Sequence, residues 1–135
     1  MATQIFINLP VKDLKKSMSF YEAIGFKNNP QFTDDTAACM VVSDTIYVML
    51  LSYDKFKQFT SKSIIDAKNT VGVLNSLSVN SNQEVNGFVE KAVKAGAKET
   101  RDALDYGFMQ LRSFEDLDGH NWEVFYMDIS KFPKQ

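Results

Sequence analysis

The groups able to do chemistry in this sequence are few, and two of them lie close together near its end. The segment Glu115 to Phe125, EDLDGHNWEVF, holds the only histidine, His120, and three residues later Glu123. A carboxylate among apolar neighbours is suited to general acid or base work, because loss of water raises its proton affinity. An odd number of positions separates His120 from Glu123, so on a regular strand they point to opposite faces, and joint ligation of a metal would require a bulge. The only cysteine, Cys39, has no partner for an internal disulfide. It sits in AACMVV with no adjacent cation to lower its pKa, and the expected state is a small buried thiol. Arg112 and Trp122 are each one residue out of step with Ser113 and Glu123. They are expected on the helix side of a sheet, Arg112 in an ion pair or an interface contact and Trp122 in the core.

Composition narrows the partners. The chain has 135 residues, 11 Phe, 5 Tyr and 6 Met, enough apolar material for one ordinary domain without a disulfide or metal staple. A formal charge of −2, from acids and bases scattered evenly, leaves no basic footprint for nucleic acid. The amino terminus, MATQIFINLPVKD, lacks the basic start and long apolar stretch of a secretory signal, and no run approaches membrane-spanning length. The expectation is a cytoplasmic protein with neither nucleic acid nor membrane as partner.

The elements that would position these groups are legible from periodicity. Thr3 to Leu9 alternates as a strand that Pro10 is expected to end. A helix follows, with Asp13 as N-cap, an apolar stripe at Leu14, Met18, Tyr21 and Ile24, and Gly25 as its stop. A short extended piece at 26–28, a turn at Asn29-Pro30, and strands at 36–42 and 45–51 around Ser43-Asp44 complete a first module at about 1–65. Asp54 to Ser63 reads as a loop or short helix. The stretch Tyr53 to Phe59 within this region is by default a solvated segment, with a lid or dimer contact as the alternative. The pattern then returns in a second module at about 70–130. Leu74 to Val79 is a strand, and Ser81 opens a helix with apolar positions Val85, Phe88, Val89, Ala92 and Val93 before Gly96. Strands at 108–114 and 120–127 flank the turn Asp118-Gly119. Eight strands and two helices in the order βαβββ-βαβββ make an α+β fold, a duplicated half-domain within one domain.

NLPVKDLKKSMSFYEAIGF at 8–26 and EDLDGHNWEVF at 115–125, joined by this internal repeat, resemble the vicinal oxygen chelate superfamily. That group includes glyoxalase I, extradiol dioxygenases, fosfomycin-resistance thiol transferases and bleomycin-resistance proteins. Within it the chain looks most similar to the bacterial predicted lactoylglutathione lyases. The resemblance covers essentially the whole chain and implies tandem βαβββ modules whose curved mixed sheets surround a small-molecule cleft, with helices outside. It also implies a homodimer.

Metal-dependent members hold a divalent ion with four side chains. The resemblance puts those positions at Phe6, Met49, Leu74 and Glu123, of which only Glu123 is a hard donor. Phenylalanine and leucine offer no lone pair, and a methionine thioether favours copper(I) over zinc, nickel or iron. No metal ligand set is therefore assigned and no cofactor is expected, although a divalent ion held by other residues is the alternative. If the family geometry holds, the cleft wall includes Phe6, Asn8, Tyr47, Met49, Leu74, Met109 and Ser113 as ligand-binding residues, with Glu123 as the catalytic candidate. Three plainer readings stay open: these side chains fill the sheet interior, Glu123 is a solvated carboxylate, and Asn8 satisfies backbone near its strand end. Two function classes follow. One is a glyoxalase/bleomycin resistance-like protein that binds a small organic molecule in an apolar cleft without a tightly bound metal. The other is a lyase, isomerase or dioxygenase, metal-dependent or using Glu123 alone as a base.

Overall fold

The computed structural model describes residues 2–132. The chain divides into two compact units, Met1–Ala67 and Lys68–Gln135. The first runs β1 (Ile5–Val11), α1 (Leu14–Ala23), β2 (Lys27–Asn29), a 3-10 turn (Pro30–Phe32), β3 (Ala37–Val41), β4 (Ile46–Ser52) and α2 (Tyr53–Phe56). Its sheet has the order β1-β4-β3-β2, with β1 parallel to β4 and the other pairs antiparallel.

β1 does not stop before Pro10, as the sequence predicts, but runs through it to Val11. Because β4 is the only strand beside β1 among the described residues, alternate N–H groups of β1 point away from the ladder. At an edge a residue without an N–H is tolerated. α1 begins where expected: the Asp13 carboxylate accepts from the Lys16 N–H at 3.1 Å, and Gly25, at φ 109°, turns the chain out of the helix. The buried stripe is Ser17, Phe20, Tyr21 and Ile24, in place of one led by Leu14 and Met18. This rotation brings two rings onto the sheet, and rings bury more apolar area than the aliphatic pair would. Tyr21 lies 5.0 Å from Phe20 edge to face and 5.5 Å from Phe26 in a stack, over a core of Met40, Val48 and Leu50.

The second unit repeats this plan with β5 (Leu74–Ser78), α3 (Asn82–Lys94), β6 (Lys98–Glu99), β7 (Leu104–Asp105), β8 (Met109–Glu115), β9 (Asn121–Met127) and a final 3-10 turn (Ile129–Lys131). The order β5-β9-β8-β6, with β5 parallel to β9, matches β1-β4-β3-β2 strand for strand. The duplication visible in the sequence is thus a duplication of topology. The two-residue β7, paired with β8, makes nine strands among the described residues where eight are predicted. Two residues are too few to carry a period.

α3 starts with a reciprocal cap. Ser81 Oγ accepts from the Glu84 N–H at 3.1 Å, and Glu84 Oε2 accepts from the Asn80 N–H at 2.7 Å. The helix lays Val85, Val89 and Ala92 against β8 and β9, where Trp122, Val124 and Phe114 are fully buried. Val93, predicted on this apolar face, is instead exposed. The β8–β9 turn is fastened by Asp116, whose Oδ1 accepts from the N–H groups of Asp118 and His120 at 2.9 Å each. The architecture is α+β with two mixed sheets. Among the described residues no helix is long and apolar enough to cross a membrane.

Candidate functional site

Each sheet has one face under its main helix and one turned away from it. On the face of the first sheet opposite α1, the β1–β4 register sets Phe6 beside Tyr47 and Asn8 beside Met49. The Phe6 and Tyr47 rings stack at 4.6 Å and 9°, although Phe6 remains about half exposed. The Tyr47 hydroxyl donates to the Asp44 carbonyl at 3.1 Å and accepts from Gln4 at 3.3 Å, so the ring is fixed from two sides. Asn8 donates to the Phe6 carbonyl at 3.3 Å, a local backbone contact of the kind its position before Pro10 suggests, and its side chain is also at the surface.

The same face carries a groove of about 400 Å³ lined by Asn8, Leu51, Phe56, Phe59 and Thr60. It exists because the chain turns back over the sheet directly after β4. Ser52 Oγ accepts from the Lys55 N–H at 3.3 Å and caps α2, which packs on β1 and β4 and sets Phe56 over Leu51 and Asn8. Tyr53 to Phe59 is therefore not simply a solvated segment: Phe56 is half-buried as a groove wall, while Phe59 stays exposed with Lys55 Nζ 5.8 Å from its ring. Phe56, Phe59 and Thr60 fall outside the ligand-binding residues expected from sequence. The available signal was the serine cap followed by two phenylalanines three apart.

On the second sheet, the face opposite α3 brings Leu74, Met109, Ser113 and Glu123 to the same side. In register, Leu74 stands beside Asn121, Met109 beside Met127, and Glu123 between Ser76 and Ser113. Ser76 Oγ donates to Glu123 Oε1 at 2.5 Å. Ser113 is buried, and its hydroxyl has no hydrogen-bond partner among the described residues. Leu74 is 57% exposed, so this face, like that of the first sheet, presents apolar surface that its own unit does not cover.

The helix side of the second sheet carries different chemistry. Arg112 grips Glu99 with Nε and Nη2, each at 2.9 Å, and reaches Asn86 with Nη1 at 3.1 Å, beside a polar depression of about 540 Å³. The paired guanidinium holds the Glu99 carboxyl below the usual carboxylate range, and Glu99 in turn raises the Arg112 pKa. The predicted ion pair and the buried Trp122 are both present. Cys39 is buried as expected, and burial pushes its thiol pKa up, away from nucleophilic use. His120 immediately precedes β9 and is nine-tenths buried.

These side chains do not fit a tightly held divalent ion. The first sheet offers Phe6 and Met49 at the positions to which the sequence resemblance assigns ligands, and the second offers Leu74 and Glu123, of which only the glutamate is a hard donor. Among the described residues no three of His, Cys, Asp and Glu stand close enough together to hold a metal.

Known proteins place the chain. The family model described as bleomycin resistance protein-like N-terminal matches residues 3–43. No curated protein matches. Among solved structures, a hypothetical protein from S. aureus is 31% identical, covers 93% of this chain and 95% of its own, and superposes with a TM-score of 0.78. A glyoxalase-related enzyme from Fulvimarina pelagi is 20% identical over 93% and 88% of the two chains, with a TM-score of 0.78. The fosfomycin resistance protein FosX from Listeria monocytogenes is 16% identical over 100% and 96%, with a TM-score of 0.70. The last two share the fold, and their activities stay with them. With its repeated βαβββ units, its match to the bleomycin resistance protein-like N-terminal model at residues 3–43 and these neighbours, the chain has the vicinal oxygen chelate fold, shared with proteins of the glyoxalase/bleomycin resistance/dioxygenase family.

Proposed function

We propose that this protein binds a small organic molecule on the apolar sheet faces turned away from its helices, without a tightly bound metal, as a homodimer in the cytoplasm. The observation that carries the reading is the groove of about 400 Å³ over the first sheet, walled by Leu51, Phe56 and Phe59 with the polar points Asn8 and Thr60. Mostly apolar walls with a few polar groups are the usual chemistry of an organic-ligand site. Phe6, Tyr47 and Met49 extend the aromatic and thioether surface, and the Asn8 amide orients the ligand. Leu74, Met109 and Ser113 present a comparable surface on the second sheet.

The test is a panel of small aromatic compounds screened by ligand-observed NMR, followed by titration of the hits into wild type and Phe56→Ala. Loss of the Phe56 ring should weaken binding about tenfold, since a buried ring contributes roughly 1.5–3 kcal/mol. Unchanged affinity would move the ligand away from this groove. Light scattering should give twice the 15.3 kDa chain mass, and a monomer would remove the dimer from the proposal.

A second reading is favoured by the Ser76 to Glu123 hydrogen bond, which fixes one carboxylate beside the apolar side chains of Leu74, Leu111 and Phe125. In it the protein is a lyase or isomerase with Glu123 as the base on an activated carbonyl compound. Glu123→Gln should then abolish any turnover found on a substrate panel. Turnover that persists in the variant would falsify that role.

A further inference from the structure

Glu123 occupies a particular electrostatic position within the second unit. Its partners across the two ladders are both serines, Ser76 on β5 and Ser113 on β8, and among the described residues no ion pair reaches it. One base shares the parity of this face, Lys98 on β6, and the register sets it directly opposite another carboxylate, Glu115. Beside Glu123 on the face, Asn121 precedes it and Phe125 follows it on β9, with Leu74 and Ser78 opposite them on β5 and Leu111 across from Phe125, so an apolar patch of Leu74, Leu111 and Phe125 adjoins the carboxylate. The carboxylate is only half buried, so a ligand can approach it.

Two details mark this as a place prepared for a guest. Ser76 spends its hydroxyl proton on Oε1, which fixes the carboxylate and leaves Oε2 to face a donor from outside. Ser113 is 6% exposed, and its Oγ has no partner among the described residues. A buried hydroxyl without a partner is unfavourable, and directly opposed residues on a ladder stand about 4.5–5.5 Å apart at Cβ. A group that donates to Oε2 of Glu123 is therefore within reach of the Ser113 oxygen as well.

A partner that carries positive charge and several N–H donors, with an apolar body to lie on Leu74, Leu111 and Phe125, satisfies all of these features. A metal ion does not, because one carboxylate and two neutral hydroxyls make a poor ligand set for a divalent cation. We propose that the open face of the second sheet binds the protonated amine of an amphipathic organic cation, with Glu123 as counter-ion, Ser76 as the group that positions it, and Ser113 as a second acceptor. This rests on the proposed small-molecule binding and adds the charge class of the ligand.

Three probes of one shape test it: 4-phenylbutylamine, 4-phenylbutan-1-ol and 4-phenylbutyrate, titrated into the full chain labelled with carbon-13 at the methionine methyls. Met109 and Met127 face each other across the β8–β9 ladder on this face and report occupancy, while Met49 reports the first sheet. The amine should bind about tenfold more tightly than the alcohol, and the butyrate more weakly than either. The Met109 and Met127 signals should shift, and E123Q should bring the amine down to the alcohol's affinity. The preference should also shrink at high salt. Equal binding of amine and alcohol by the wild-type chain overturns the cation site and leaves the apolar-ligand reading standing. A cation preference reported only at Met49 also overturns it. Absence of binding by all three probes overturns both.

Discussion

At the residue scale, the charged group with the best-defined energetic role is not the one on the open face. Arg112 and Glu99 form a bidentate pair whose partners are 17% and 31% exposed, sheltered enough to exceed a typical surface ion pair. The Arg112 guanidinium lowers the Glu99 pKa below its usual 4.5. A carboxyl whose folded pKa is depressed contributes stability above its unfolded pKa and loses it as pH falls through the folded value. Glu99→Gln should therefore cost about 1 kcal/mol at pH 7. The gap to wild type should close as urea denaturation is repeated below pH 4.5, because wild type itself then loses the ion pair. A gap independent of pH would mean that the pair acts through packing alone. The parity of Arg112 and Trp122 against Ser113 and Glu123 was readable in the sequence, because alternation on a strand is a local property. Which carboxylate meets Arg112 was not, since Glu99 lies on a two-residue strand with no period of its own.

At the element scale, the two helix-terminating glycines distinguish backbone strain from crowding. Gly25 and Gly96 both sit at positive φ, 109° and 115°, after matching helices. A Cβ at Gly25 would meet nothing within 4 Å, whereas one at Gly96 would lie 2.9 Å from Leu117 Cδ2. Gly25→Ala should cost about 1–2 kcal/mol, the strain of the left-handed region alone. Gly96→Ala should cost that amount plus whatever is needed to move Leu117, and therefore lower the melting temperature further. Equal losses would show that Leu117 yields freely. Both helix stops and both N-caps were legible from residue type, because caps depend on contacts within a few positions. The stripe that α1 buries was not. Two stripes compete along that helix, one led by Leu14 and Met18 and one by Phe20 and Tyr21, and packing on β3 and β4 chose the aromatic one.

At the scale of the whole molecule, the two units repeat one strand order, and the positions to which the sequence resemblance assigns metal ligands hold Phe6, Met49, Leu74 and Glu123. Mass-spectrometric metal analysis of untagged protein, re-equilibrated with nickel, zinc, iron(II), manganese and copper, should find well under one equivalent of each retained. One retained equivalent would require ligands outside these positions and would favour the metal-dependent enzyme. Neither outcome alters the fold, which rests on hydrophobic pattern and topology and not on the site.

By itself the sequence determined the order of the main elements, the duplication, the helix caps and the face on which each long-strand residue lies. All of these follow from short-range periodicity and from the conformational preferences of single residues. Tertiary structure alone decided that β1 continues through Pro10, since only the sheet order makes β1 an edge. It also decided that α2 folds back to wall a groove with Phe56, and that Ser76 and Ser113 flank Glu123 from strands 47 and 10 residues away in the chain. Such pairings depend on which strands become neighbours, and that is settled when distant apolar faces bury one another.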